Sequence, residues 1–152
     1  MTPFVLLYLV VSLAALAIIW LKGGHPERLG AVFWVACWIV QMPLNDVRIG
    51  DLRWGIALLD LAAFVAFLWL ALRYERWWPL GVTACFVLVL GIHLSTLLIP
   101  EVTRLGEASA QLGLGMLTVL IQAAGAFERW LAGEAPASAS AVWSRRKRPL
   151  TI

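Results

Sequence analysis

Asp60 and His93 are the two residues whose types can do chemistry inside this chain. Each sits in an apolar run, Asp60 within GIALLDLAAF and His93 within VLVLGIHLST. A charged side chain at the centre of a membrane helix costs about 2.5–3.5 kcal/mol on insertion scales. Asp60 is therefore expected to face other helices and to have a partner there. A carboxylate beside an imidazole orients the ring. Such a pair can relay a proton, or bind a polar headgroup or an ion. The structural alternative is an interhelical hydrogen bond that holds two helices together, worth about 0.6–2 kcal/mol. A third reading makes His93 a general base oriented by Asp60, which requires a substrate that no motif names.

The elements that must position this pair follow from composition. Of 152 residues, 62% are hydrophobic and 14% charged, where a soluble domain carries about 25% charged residues. The apolar residues fall in runs of about 18 or more, the length that crosses a bilayer as helix. Five spans are expected, over residues 4–21, 29–47, 52–72, 77–99 and 106–127. The fold class is therefore all-α, a five-span transmembrane helical bundle over residues 1–131, with a separate basic tail over 132–152. Pro79 falls in the first turn of the fourth span, where its missing N–H costs nothing, and Pro100 closes that span. Ala15-Leu16-Ala17 fits a small-x-small cleavage pattern. However, no basic residue precedes the first run, so it is expected to be retained as a span.

Orientation follows from lysine and arginine on alternate sides. One side holds nine: Lys22, Arg28, Arg73, Arg76, Arg129, Arg145, Arg146, Lys147 and Arg148. The other holds three, Arg48, Arg53 and Arg104, beside the acids Asp46, Asp51, Glu101 and Glu107. The expected topology is N-out and C-in. Trp20, Trp54, Trp77, Trp78 and Trp130 fall at expected span ends, where indole suits the headgroup level. Trp34, Trp38 and Trp69 lie deeper.

With the middle of each span taken as the midplane, His93 lies about 7 Å and Asp60 about 3 Å to the outer side. They belong to consecutive antiparallel spans, so contact is geometrically allowed. Most other intramembrane polar residues share that outer half: Tyr8, Gln41, Asn45, Ser95, Thr96 and Gln111, with Ser12 near the middle. Gln122 is the exception, toward the cytoplasm. Pro43 is expected to kink the second span and to free the carbonyl of Ile39, which polar groups or water must then satisfy. Gln41, Pro43, Asn45, Asp60, His93 and Gln111 are thus expected to line one outward-facing polar cavity.

Other chemistry is not signalled. Lone His93 makes no metal site, and HxxxH and HExxH are absent. His25 is expected to be solvated. Cys37 and Cys85 read as buried thiols. No lysine lies within a span, and no GxSxG, P-loop or GxGxxG occurs. No catalytic residue and no cofactor is assigned. Ala62-xxx-Ala66, Gly91-xxx-Ser95 and Ser109-xxx-Gly113 are candidate packing seams. The stretch GEAPASASA has little to bury and should be disordered. It is followed by SRRKRP, where Arg145, Arg146, Lys147 and Arg148 would meet anionic headgroups at about 1 kcal/mol each, or a partner. The net charge of +3 is accounted for by topology, so nucleic acid is not expected.

ERWWPL opening a span, with a histidine near its far end, resembles small polytopic inner-membrane proteins of Gram-negative bacteria; the resemblance implies no activity. In its length and five Trp-rich spans the chain also resembles the translocator/tryptophan-rich sensory family. That family's first-loop motif is missing, because residues 22–29 contain no tryptophan, and no ligand residue is carried over. The expectation is a multi-pass protein of the bacterial inner membrane. Its leading role is that of a non-catalytic accessory or assembly subunit whose partners are the lipid bilayer and other membrane-protein subunits. The alternative is a carrier, lipid-binding protein or sensor built on the cavity around Asp60 and His93.

Overall fold

The computed structural model describes residues 3–45, 47, 53–99, 104–134, 136 and 137. They form five helices and, among the described residues, no strand: α1 (Pro3–Lys22), α2 (His25–Leu44), α3 (Trp54–Arg73), α4 (Trp78–Leu98) and α5 (Arg104–Leu131). The order of packing is a closed ring. α1 lies against α5, α5 against α4, α4 against α3, α3 against α2, and α2 back against α1, with a further contact between α2 and α5.

Four of the five, α1, α3, α4 and α5, are long and apolar enough to cross a membrane. α2 is as long as α1 but is not among them. Its first turn takes in Pro26, Glu27 and Arg28, which the sequence places in a loop. The helix begins at His25 because Gly24 caps it: the Gly24 N–H donates to Glu27 Oε2 at 2.8 Å, the reach-back half of a capping box. Pro26 occupies the first turn, where the backbone needs no N–H. α2 also stops at Leu44 rather than Val47, so Pro43 stands in its last turn instead of mid-span. His25 is exposed.

The core is aromatic. Phe67 stacks on Phe86 with centroids 5.7 Å apart and meets Trp78 edge-on at 6.4 Å. Trp34 closes on Phe86 from α2. Trp78 was expected at the headgroup level; it is instead 1% exposed. Gly30 and Gly125 explain why. A Cβ at Gly30 would stand 2.7 Å from the Trp78 ring, and one at Gly125 2.4 Å from it. These two glycines leave the room that the Trp78 ring fills. Ala62, Ser109, Gly91 and Gly113 are exposed, and a Cβ at Gly91 or Gly113 would meet open space.

α5 has its polarity reversed relative to a helix of a water-soluble protein. Glu107, Thr118 and Gln122 are buried, while Leu105, Leu117, Leu120, Phe127 and Leu131 are exposed. At 28 residues it is about 42 Å long, more than the ~30 Å hydrocarbon core. Just past it, Arg76 donates to Glu134 Oε2 at 2.6 Å. This bond and the positive charge of Arg76 hold the Glu134 carboxyl below its usual value of 4.5. A depressed carboxylate stabilises the fold above its unfolded pKa and stops doing so as pH falls through its folded pKa. Both groups are partly exposed, so the contribution is about 0.2–1 kcal/mol. Glu134→Gln should therefore lower thermal stability slightly near pH 7, and the difference should shrink as pH falls below the ordinary carboxylate range, read by unfolding in mild detergent.

Candidate functional site

Asp60 and His93 meet. His93 Nε2 stands 2.8 Å from Asp60 Oδ2, across the α3–α4 contact. An N–H on Nε2 donates to the carboxylate, whether the ring is neutral or charged. The His93 side chain is 5% exposed and that of Asp60 20%, so the carboxylate is the more accessible partner. The other ring nitrogen, Nδ1, is buried without a hydrogen bond and lies 3.8 Å from Glu107 Oε1.

Glu107 belongs to a second set of bonds, from α5 and the start of α3. Arg53 Nη2 donates to Glu107 Oε1 at 3.1 Å and to Gln111 Oε1 at 2.9 Å. Gln111 Nε2 donates to Glu107 Oε1 at 3.2 Å and lies 3.4 Å from His93 Nε2. The Gln111 amide thus ties Arg53 to Glu107 and sits against the His93–Asp60 pair. Burial of the Glu107 carboxylate, which is 5% exposed, is tolerable only because Arg53 and Gln111 donate to it.

This cluster borders a cavity of about 280 Å³. Arg53, Asp60, Gln41, Gln111 and Thr118 give it polar edges, and Tyr8, Trp34, Trp38 and Phe86 give it aromatic walls. The Tyr8 hydroxyl is there because α5 has no side chain at Gly115: a Cβ at that position would stand 3.2 Å from it. Gln41 stands at the cavity's edge and Asn45 lies further out. Both are exposed, and with Trp38, Met42 and Arg53 they rim a shallower depression beside the cavity. Pro43 is exposed and lines neither. Arg145, Arg146, Lys147 and Arg148 lie outside the described residues, as do Arg48 and the acids Asp46, Asp51 and Glu101.

Arg53 and Glu107 read in the sequence as outer-side charges at the first turns of the third and fifth spans. The spacing of α5 signals their role: Glu107, Gln111, Thr118, Gln122 and Arg129 recur at steps of four and seven, which places them on one helical face.

That face leads to a second polar cluster at the other end of the bundle. Glu27 is fully buried and accepts from the Trp78 indole Nε1 at 3.1 Å as well as from the Gly24 N–H. Arg129 Nη1 lies 3.8 Å from Glu27 Oε2, and Arg129 Nε lies 3.4 Å from Glu134 Oε2. Between the clusters sits Gln122, fully buried, with neither amide atom hydrogen-bonded.

Among the described residues no group of three or more histidine, cysteine or acidic side chains could hold a metal ion, and both cysteines are free. No protein-family model, no curated protein and no solved structure matches this chain.

Proposed function

We propose that this is a five-span, N-out membrane protein whose cavity binds a small polar solute, as a carrier or a sensor does. The observation that carries the reading is that Arg53, Asp60 and Gln111 line one cavity and are bonded to the buried His93 and Glu107 just behind them. A single interhelical bond would glue two helices. Five linked polar side chains beside a cavity exceed what gluing requires, and ionisable groups within membrane segments mark binding sites or ion paths. α2 is assigned as the fifth span because it fills the ring between α1 and α3. The solute class follows from the lining. Asp60 is the accessible acceptor, and the aromatic walls attract cations, so a donor-bearing organic solute such as an amine fits.

The test is native mass spectrometry of the protein released gently from its own membrane. The wild type is expected to carry a small-molecule adduct that Asp60→Asn and His93→Ala lose while still accumulating normally. Equal adducts in all three, or none in the wild type, would remove the support for a binding site.

The accessory-subunit reading has one observation in its favour. α1 and α2 form an apolar groove lined by Leu16, Trp20, Ala31, Val32, Val35, Ala36 and Ile39, and small residues favour close helix approach in lipid. A stoichiometric protein partner in the same spectra would favour that reading.

A further inference from the structure

We propose that the inward face of α5 is a proton pathway through the bundle, with Trp78 as its barrier. The pathway uses the Asp60–His93 pair of the proposed solute site but needs no solute.

Buried polar side chains in membrane helices are costly, and one per bundle suffices for glue. Here they recur along a whole helix. Thr118 lines the cavity and is 2% exposed. Gln122 is one turn further along the same face. A buried amide left unbonded costs about 1–3 kcal/mol, and a water with two to four polar neighbours is the usual remedy. Gln122 reaches α2: its Oε1 lies 3.0 Å from where a Gly30 Cβ would stand. The Trp78 ring touches that same point, and Glu27 is one turn away on α2. The sequence of groups is therefore the cavity, Thr118, Gln122, the Trp78 ring and Glu27. Beyond the cavity, Gln122 is the polar side chain that stands between Thr118 and the Trp78 ring, with both amide atoms unbonded. Past it stands Trp78, pinned between Gly30 and Gly125 and held by its bond to Glu27.

The chemistry is a relay that returns each group to its starting state. A proton from the cavity water binds the His93–Asp60 pair, where Glu107 and Arg53 set the surrounding charge. It passes along water beside Thr118 and Gln122 when Trp78 swings from Glu27. Glu27 accepts it and releases it to the opposite end, where Arg129, Arg76 and Glu134 face the exit. No oxidant, reductant or second substrate is involved.

The test uses the full chain in phosphatidylethanolamine–phosphatidylglycerol vesicles containing a pH-sensitive dye, without added solute. A potassium gradient with valinomycin supplies the driving potential. Proton influx is expected to exceed that of protein-free vesicles. Gln122→Leu, close in volume and free of the unbonded amide, should fold as well and conduct about tenfold less or worse. Trp78→Phe, which keeps a ring but removes the bond to Glu27, should conduct faster than the wild type. Wild-type influx equal to that of empty vesicles would overturn the pathway, and so would a Gln122→Leu variant that conducts like the wild type. A Trp78→Phe variant no faster than the wild type would overturn Trp78 as the barrier. Solute adducts lost in Asp60→Asn, with no proton flux, would leave the binding site standing alone.

Discussion

Trp78→Ala is expected to be the most damaging single substitution in the bundle. The indole is the largest fully buried side chain, wedged between backbone at Gly30 and Gly125. Neither glycine carries atoms that can move into the space it would leave. Truncating a buried tryptophan costs about 3–5 kcal/mol, and the upper half applies where a site cannot collapse. The change also removes one donor from Glu27, a buried carboxylate, which adds about 1–3 kcal/mol. Thermal unfolding in mild detergent should show the protein lost or its midpoint lowered far more than by Trp69→Ala, whose ring is 51% exposed. Equal effects of the two substitutions would contradict the packing described.

Trp78 also marks where the sequence was hard to read. ERWWPL presents two adjacent tryptophans at a span start, and nothing in their composition distinguishes them. The helix phase does: Trp77 turns outward, where its indole pairs with Glu128, and Trp78 turns toward two glycines 48 and 47 residues away in sequence. That complementarity is a tertiary fact, invisible to periodicity. Glu27 was hidden for a related reason. HPER reads as a polar loop, and only the Gly24 cap and Trp78 make it a buried helix start. By contrast, Asp60 and His93 were legible, because antiparallel helices with short connections fix relative depth from residue counts alone. Gln111 was legible in the same way. Gln41 reaches the cavity edge, but helix rotation, which residue counts do not fix, leaves Asn45 on the neighbouring depression alone. The small-residue seams depend on the same rotation: Gly91 and Gly113 lie on faces that no described helix of this chain covers.

Arg53→Ala is the second large effect. It leaves the Glu107 carboxylate, 5% exposed, without its cation. Breaking a buried ion pair by removing one partner costs about 3–5 kcal/mol. Arg53 is 20% exposed and sits near the bundle end, so solvent softens the loss to about 2–3 kcal/mol. Two consequences separate this from a general packing defect. Glu107→Gln added to Arg53→Ala should restore much of the stability, since the stranded charge is gone, and a double-mutant cycle measures the difference. Gln111 also loses the donor that orients its amide toward His93, so solute binding should weaken in the double variant even where stability recovers. A double variant as unstable as Arg53→Ala would mean that the guanidinium acts by packing alone.

The central claim is that Asp60, backed by His93, lines a wet cavity inside a membrane bundle, open toward the end where α1 begins. Cys37 and Cys85 offer a native probe. Cys37 borders the cavity, while Cys85 is 4% exposed in the core. Intact cells treated with a charged, membrane-impermeant thiol reagent, followed by peptide mass spectrometry, report both access and side. The account predicts modification of Cys37 from outside the cell and none of Cys85. A Cys37 that stays unmodified from outside, or that reacts only when reagent reaches the cytoplasmic face, would contradict it.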